Sequence, residues 1–201
     1  MKLTLSAVIL VLWTVLAGSA FAQSEQSIRL RGTIDAASAQ SLAVTTNAGE
    51  KLSLAMPAKP VVMSASKASL ASIKPGSFVG IAAQTQPDGS SVALEVHVFS
   101  ESLRGLGVGS RPWDQGPNST MTNGNVGSAV GTSGRTLTVQ YPGGEKTIQV
   151  PKTVPVVFVV KGKPTQLKPG RKVVIAATRS AAGDMTMQWV IVGRPGVTPP
   201  M

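Results

Sequence analysis

The sequence predicts an all-β protein made of two small units copied from one another, and three observations carry that expectation. Landmarks of residues 28–99 return in the same order in residues 125–193. Gly49-Glu50-Lys51 recurs as Gly144-Glu145-Lys146, Pro57 as Pro151, Lys67 as Lys161, Lys74-Pro75-Gly76 as Lys168-Pro169-Gly170, and Ile81-Ala82-Ala83 as Ile175-Ala176-Ala177. The offset is 94 residues from Pro57 to Ala83 and 95 at the Gly-Glu-Lys turn, so one single-residue slip reconciles the repeats. Apolar residues alternate with polar ones at a period of two, the pattern of a half-buried strand. The alternating runs are short and bounded by Gly, Pro, Asn and Asp, the residues that turns require.

The first element is expected to be removed. Lys2 gives a basic start, residues 3–17 are apolar but short for a bilayer, and Ala20-Phe21-Ala22 supplies the small residues that a signal peptidase needs. Residues 1–22 are therefore read as a signal peptide cleaved before Gln23, an uncleaved anchor being the lesser alternative. The chain has no cysteine, which excludes a lipid-modified N-terminus, disulfides, Cys-based zinc sites and thiol catalysis. No second apolar run approaches transmembrane length, so the remaining chain is expected to be soluble, and periplasmic or secreted.

Residues 28–35 alternate strictly and read as a strand; 41–46 and 51–55 follow, joined by the turn Asn47-Ala48-Gly49. Residues 78–84 and 92–100 complete the first repeat around Pro87-Asp88-Gly89. The second repeat places strands at 126–131, 135–141, 146–150, 172–179 and 185–192. Between strands three and four lie longer connections, 57–76 and 151–170; a helical turn at 68–73 is expected in the first, shorter or absent in the second because of Gly162 and Pro164. Five strands with a plug between the third and fourth is the order of an OB-type barrel. The expectation is thus two tandem five-stranded OB-like barrels, residues 23–100 and 125–201, joined by a Gly/Pro-rich ordered connector at 101–124; a pair of sandwich-like β domains is the alternative. Each repeat of about 70 residues is marginal alone, so the two are expected to pack together.

The Ile-Arg-x-Arg-Gly-Thr opening at 28–33, the stretch 76–82, Ala93-Leu94-Glu95-Val96, residues 102–109, Pro112-Trp113-Asp114, residues 119–123 and 134–138, and the Pro-Pro-Met end resemble a family of uncharacterised exported alphaproteobacterial proteins with tandem OB-like domains of unknown function. That resemblance implies the fold but no activity. Its occasional label of metal transporter permease fits poorly with a chain lacking transmembrane segments.

Charge is uneven. Residues 23–100 carry six basic and five acidic side chains, residues 101–125 two of each, and residues 126–201 ten basic against two acidic. Lys161, Lys163, Lys168, Arg171 and Lys172 bracket the second repeat's long connection and are read as an edge able to hold phosphate or carboxylate groups of an anionic envelope polymer or lipid headgroups, against the plainer reading of a solvated face. Nucleic acid is not expected, because single-strand binders need stacking platforms and residues 23–201 offer only Phe78, Phe99, Trp113, Tyr141, Phe158 and Trp189.

Catalysis is not expected either. His97, the only histidine, shares a strand face with Glu95 and Phe99, opposite Leu94, Val96 and Val98, and the pair has the residue types of an acid/base couple or of metal ligands. Their counterparts in the second repeat are Trp189 and Ile191, so the face is read as packing. No nucleophile triad, carboxylate pair or metal-binding spacing occurs, and Met121, Met185 and Met187 are too scattered for a copper site; no cofactor is expected.

The connector draws the remaining attention. Its tryptophan would gain nothing in a disordered linker, so Trp113 is expected to anchor it, with Asp114 and Asn118 satisfying turn amides. The functional version makes Arg104, Arg111, Trp113 and Asp114 the lining of a ligand pocket. Two roles follow: a non-enzymatic binding or accessory protein, and as alternative a small-molecule or metal-dependent enzyme or sensor at the connector.

Overall fold

A computed structural model describes residues 25–130 and 135–200; the expected signal peptide lies outside the described residues. The described residues are all-β, with thirteen strands: β1 (Gln26–Ala37), β2 (Ser41–Thr46), β3 (Lys51–Ala55), β4 (Val61–Lys67), β5 (Phe78–Thr85), β6 (Ser91–Phe99), β7 (Gly109–Pro112), β8 (Ser119–Val130), β9 (Thr136–Tyr141), β10 (Gly144–Gln149), β11 (Val156–Lys161), β12 (Lys172–Arg179) and β13 (Met185–Gly193). Three single-turn 3-10 segments, Leu70–Ser72, Glu101–Leu103 and Pro164–Gln166, are the only helical pieces among the described residues. None of these is long and apolar enough to cross a membrane.

The strands join in one mixed sheet in the order β10-β9-β8-β5-β6-β11-β4-β13-β12-β1-β2-β3, with β7 paired to β8. Parallel bridges from Thr186 to Ala55 and from Gln149 to Val92 join β13 to β3 and β10 to β6, so each end of the path returns on itself. One circuit contains β1, β2, β3, β13 and β12; the other contains β8, β9, β10, β6 and β5. The sequence reading draws each five-strand set from one contiguous half. The pairings divide differently: strands one to three of either repeat are hydrogen-bonded with strands four and five of the other.

The crossing is made by β4 and β11, which the sequence reading leaves inside the long connections. Val61-Val62-Met63 and Val156-Val157-Phe158-Val159-Val160 are apolar runs without alternation of residue type, although burial still alternates in β11, with Val157 and Val159 inside and Phe158 exposed. β4 and β11 run antiparallel, and Ala65 faces Val159, its own counterpart at the offset of 94. A local twofold axis therefore passes between them.

Registers repeat with the sequence. The β5–β6 ladder is irregular at Ala82/Ala83 and the β12–β13 ladder at Ala176/Ala177, positions 94 apart. β1 and β8 bulge after Ile34 and Val126, and each carries a glycine two residues earlier. A Cβ on Gly32 would overlap the Thr45 carbonyl, and one on Gly124 the Gln140 carbonyl, so the strands bend there only because no side chain intervenes. Two cores fill the circuits with corresponding residues: Ile34, Leu42, Val44 and Leu54 in one stand where Val126, Leu137, Val139 and Ile148 stand in the other. A third core, including Met63, Met121, Val159 and Ile191, lies between the circuits and is bordered by Trp113 and Trp189.

Candidate functional site

Site construction begins where β6 ends. Ser100 donates its amide to the Val159 carbonyl, and the 3-10 turn Glu101–Leu103 buries Leu103 in the third core. Gly105, Gly107 and Gly109 take positive φ and turn the chain back, so that β7 pairs with β8. The loop 113–119 then closes on itself: the Trp113 amide donates to the Ser119 carbonyl, and the Ser119 hydroxyl donates to the carbonyls of Trp113 and Gly116. This holds Trp113, Asp114 and Gln115 over β1 and β6.

Three sequence-selected residues meet there. Trp113 has the Arg29 guanidinium 3.7 Å from its ring centre and that of Arg111 at 5.5 Å. Asp114 accepts two hydrogen bonds from Arg31, at 2.9 and 3.0 Å, and an ion pair from Arg29 at 3.0 Å. Burial pushes the Asp114 carboxyl up, but Arg31 and Arg29 outweigh it and leave it below its ordinary value. Its partners are thus side chains of β1 rather than the turn amides expected of it. Arg104 is held elsewhere, by Glu101, Asn125 and the Gly76 carbonyl, and does not reach Trp113.

Glu95 and His97, whose face the sequence reading assigns to packing, are two buried ionisable groups. The Glu95 carboxyl is only 1% exposed and accepts from the Gln115 amide at 2.9 Å. Burial raises its pKa to about 7, against the opposing pull of Gln115 and Arg31. His97 is equally buried and lies 3.0 Å through Nε2 from the Pro200 carbonyl. Burial lowers its pKa to about 4, opposed by the Pro200 and Gly80 backbone. The neutral ring therefore donates from Nε2, because a carbonyl can only accept. One detail of the face differs from expectation: the register shift opposite Ala82/Ala83 makes Leu94 an extra residue, and it packs with the third core instead of beside Val96 and Val98. Among the described residues no group of three or more His, Asp or Glu side chains is placed to hold a metal ion.

Beneath the connector is a cavity of about 140 Å³. β4 and β13 supply Val61, Met63, Trp189 and Ile191; β6 and β8 supply His97, Phe99, Met121 and Asn123; the connector closes it with Leu106, Gly107, Arg111 and Trp113. It exists because the exchange sets β4, β6 and β13 side by side with β11 in one layer.

The basic edge forms a second place. Lys168, Arg171 and Arg194 border one surface depression of about 350 Å³, and Arg171, Lys172 and Arg194 border an adjoining one of about 560 Å³. Arg171 donates weakly to the Gly193 carbonyl at 3.4 Å, and Lys172 donates to the Thr33 hydroxyl at 2.8 Å. Lys161 and Lys163 are exposed but line neither depression. Arg194 was not legible as part of this edge, because only the end of β13 brings it beside Arg171.

These features define a helix-poor, strand-exchanged β protein with one apolar and one cationic cleft. Comparison with protein-family models, curated proteins and solved structures finds no match.

Proposed function

We propose that the protein is a non-enzymatic, exported binding module whose two circuits are OB-like barrels exchanging strands, and whose cationic edge holds an anionic envelope component, a polymer or lipid headgroups. The OB reading is supported by the circuit order, in which strand one lies between two and four and strand three closes on five in parallel, and by the bend at Gly32 and Gly124. Export is supported by the signal-like pattern of residues 1–22.

The observation that carries the binding role is the grouping of Lys168, Arg171, Lys172 and Arg194 around two adjoining depressions whose linings contain no acidic side chain. Four cations held together with no acidic partner among the described residues repel one another, and a polyanion relieves that repulsion. At the offset of 94 the first repeat has Lys74, Ser77, Phe78 and Ser100, so the charge belongs to one end of the molecule.

Retention on immobilised heparin and lipopolysaccharide tests this. The protein is expected to bind at low ionic strength and elute near physiological salt or above, since exposed charges are screened over about 8–10 Å in that range. Arg171→Ala combined with Arg194→Ala should elute earlier with an unchanged Tm. Failure of the parent protein to bind at low salt, or equal retention of the double variant, would remove this function.

A further inference from the structure

We propose that the cavity beneath the connector binds a small organic carboxylate with a compact apolar body, one aromatic ring or a branched alkyl group, whose charge pairs with Arg111. This site is separate from the cationic edge and does not depend on it.

Size sets the body. A dry cavity of about 150 Å³ with aliphatic and aromatic walls accommodates benzene, and this one measures about 140 Å³. Met63, Trp189 and Ile191 form one side, Phe99, Met121 and Trp113 the other, and such walls favour an apolar group over water. Its rim exposes Val61 by 53% and Leu106 by 41%, apolar surface that an occupant would cover.

Charge sets the head group. Arg111 donates from Nη1 to the Gly107 carbonyl at 2.8 Å, and among the described residues no carboxylate lies within ion-pair distance of it. Asp114, the nearest acidic residue in sequence, is already engaged by Arg29 and Arg31. Burial, together with the like charge of Arg29, depresses the Arg111 pKa, so its surroundings lack an anion rather than supplying one.

Unmet hydrogen bonds set the recognition. Trp113 Nε1, His97 Nδ1 and Asn123 Oδ1 are buried without partners on side chains that line the cavity, and of these only the indole N–H is a donor that a carboxylate can meet. Asn123 is only 5% exposed and gives its amide to the Leu106 carbonyl, which orients it. A carboxylate can accept a charge-assisted hydrogen bond from Arg111 and another from the indole N–H, and the latter recovers part of the cost of leaving that buried donor unpaired. Gly107 permits the close approach: it sits at φ 56°, and a Cβ there would press on Arg111 and Asn123 at 3.2 and 3.3 Å.

Titration calorimetry with benzoate, benzyl alcohol and acetate, followed in parallel by tryptophan fluorescence, tests the assignment. Benzoate is expected to bind once per chain, about tenfold or more tighter than either the neutral ring or the ringless anion. Arg111→Gln should weaken benzoate by about tenfold and leave benzyl alcohol within about twofold. Val61→Trp, at an exposed rim position and so compatible with folding, should abolish both ring compounds. The Arg171→Ala, Arg194→Ala variant should bind benzoate as the parent does. No benzoate binding, benzoate no better than acetate, benzoate unaffected by Arg111→Gln or by Val61→Trp, or its loss with the cationic-edge variant would each overturn the proposal.

Discussion

Glu95 and His97 are buried in one strand with displacements of opposite sign, and their effects on stability oppose each other. Glu95 rises from 4.5 to about 7 on folding, so its contribution is greatest below pH 4.5 and is lost as pH climbs to 7. His97 falls from 6.5 to about 4, so its contribution is complete above pH 6.5 and is lost as pH drops to 4. Each change is worth about 3 kcal/mol at 1.36 kcal/mol per pH unit of displacement. Between pH 4.5 and 6.5 the parent protein should therefore show a nearly flat contribution from this pair. Glu95→Gln should expose the histidine alone, with Tm falling on acidification through that window, and His97→Gln should expose the carboxyl, with Tm falling as pH rises. Denaturation followed at several pH values checks it, and flat profiles for both variants would refute the assigned burial. That Glu95 and His97 share a face is legible from strand alternation. Their depth of burial is not, because it comes from Gln115 and Pro200, residues 20 and 103 positions away in the chain.

Elements are bent where the repeats demand it. Gly32→Ala and Gly124→Ala each force a Cβ against a backbone carbonyl of the neighbouring strand, which cannot move aside without breaking its ladder. Each should cost about 1–3 kcal/mol, the usual range for overpacking. Gly127→Ala is the control: its Cβ would meet only the end of the Gln140 side chain, which can swing away, and the loss should be smaller. Chemical denaturation of the three variants decides between a packing requirement and a general intolerance of alanine. Nine of the strands follow from period-two alternation and turn residues within a few positions of their ends. β8 begins at Ser119, seven residues before the expected 126 and inside the expected connector, where it pairs with β5 and β7. β4 and β11 do not follow, because unbroken apolar runs between Pro57 and Gly76 and between Pro151 and Gly170 carry no period to read, and β7 lacks one through its Gly-Ser-Arg-Pro composition.

On the scale of the whole molecule, strand exchange makes the two circuits one cooperative unit. Each repeat supplies three strands to one circuit and two to the other, and β4 pairs with β11 between them, so unfolding of either repeat breaks both circuits. Calorimetry should give a single transition. Leu137→Ala, in the core of the circuit completed by β5 and β6, should lower that one transition by the equivalent of about 2–5 kcal/mol without splitting it. Two resolved transitions, only one of them shifted, would show that the circuits are independent.

The sequence by itself determined that the chain is β-rich, that it is internally repeated, and that its charge lies in the second repeat. Those properties are local or additive: alternation reports one strand's two faces, and spacing reports a repeated unit. Which repeat's strands pair was decided only in the tertiary structure, because either partner presents the same corresponding core residues, such as Ile81 or Ile175, to strands one to three. The connector's cavity has the same origin, since Arg111, Trp113, Trp189 and Met63 acquire a common wall only after β4 and β11 cross between the circuits.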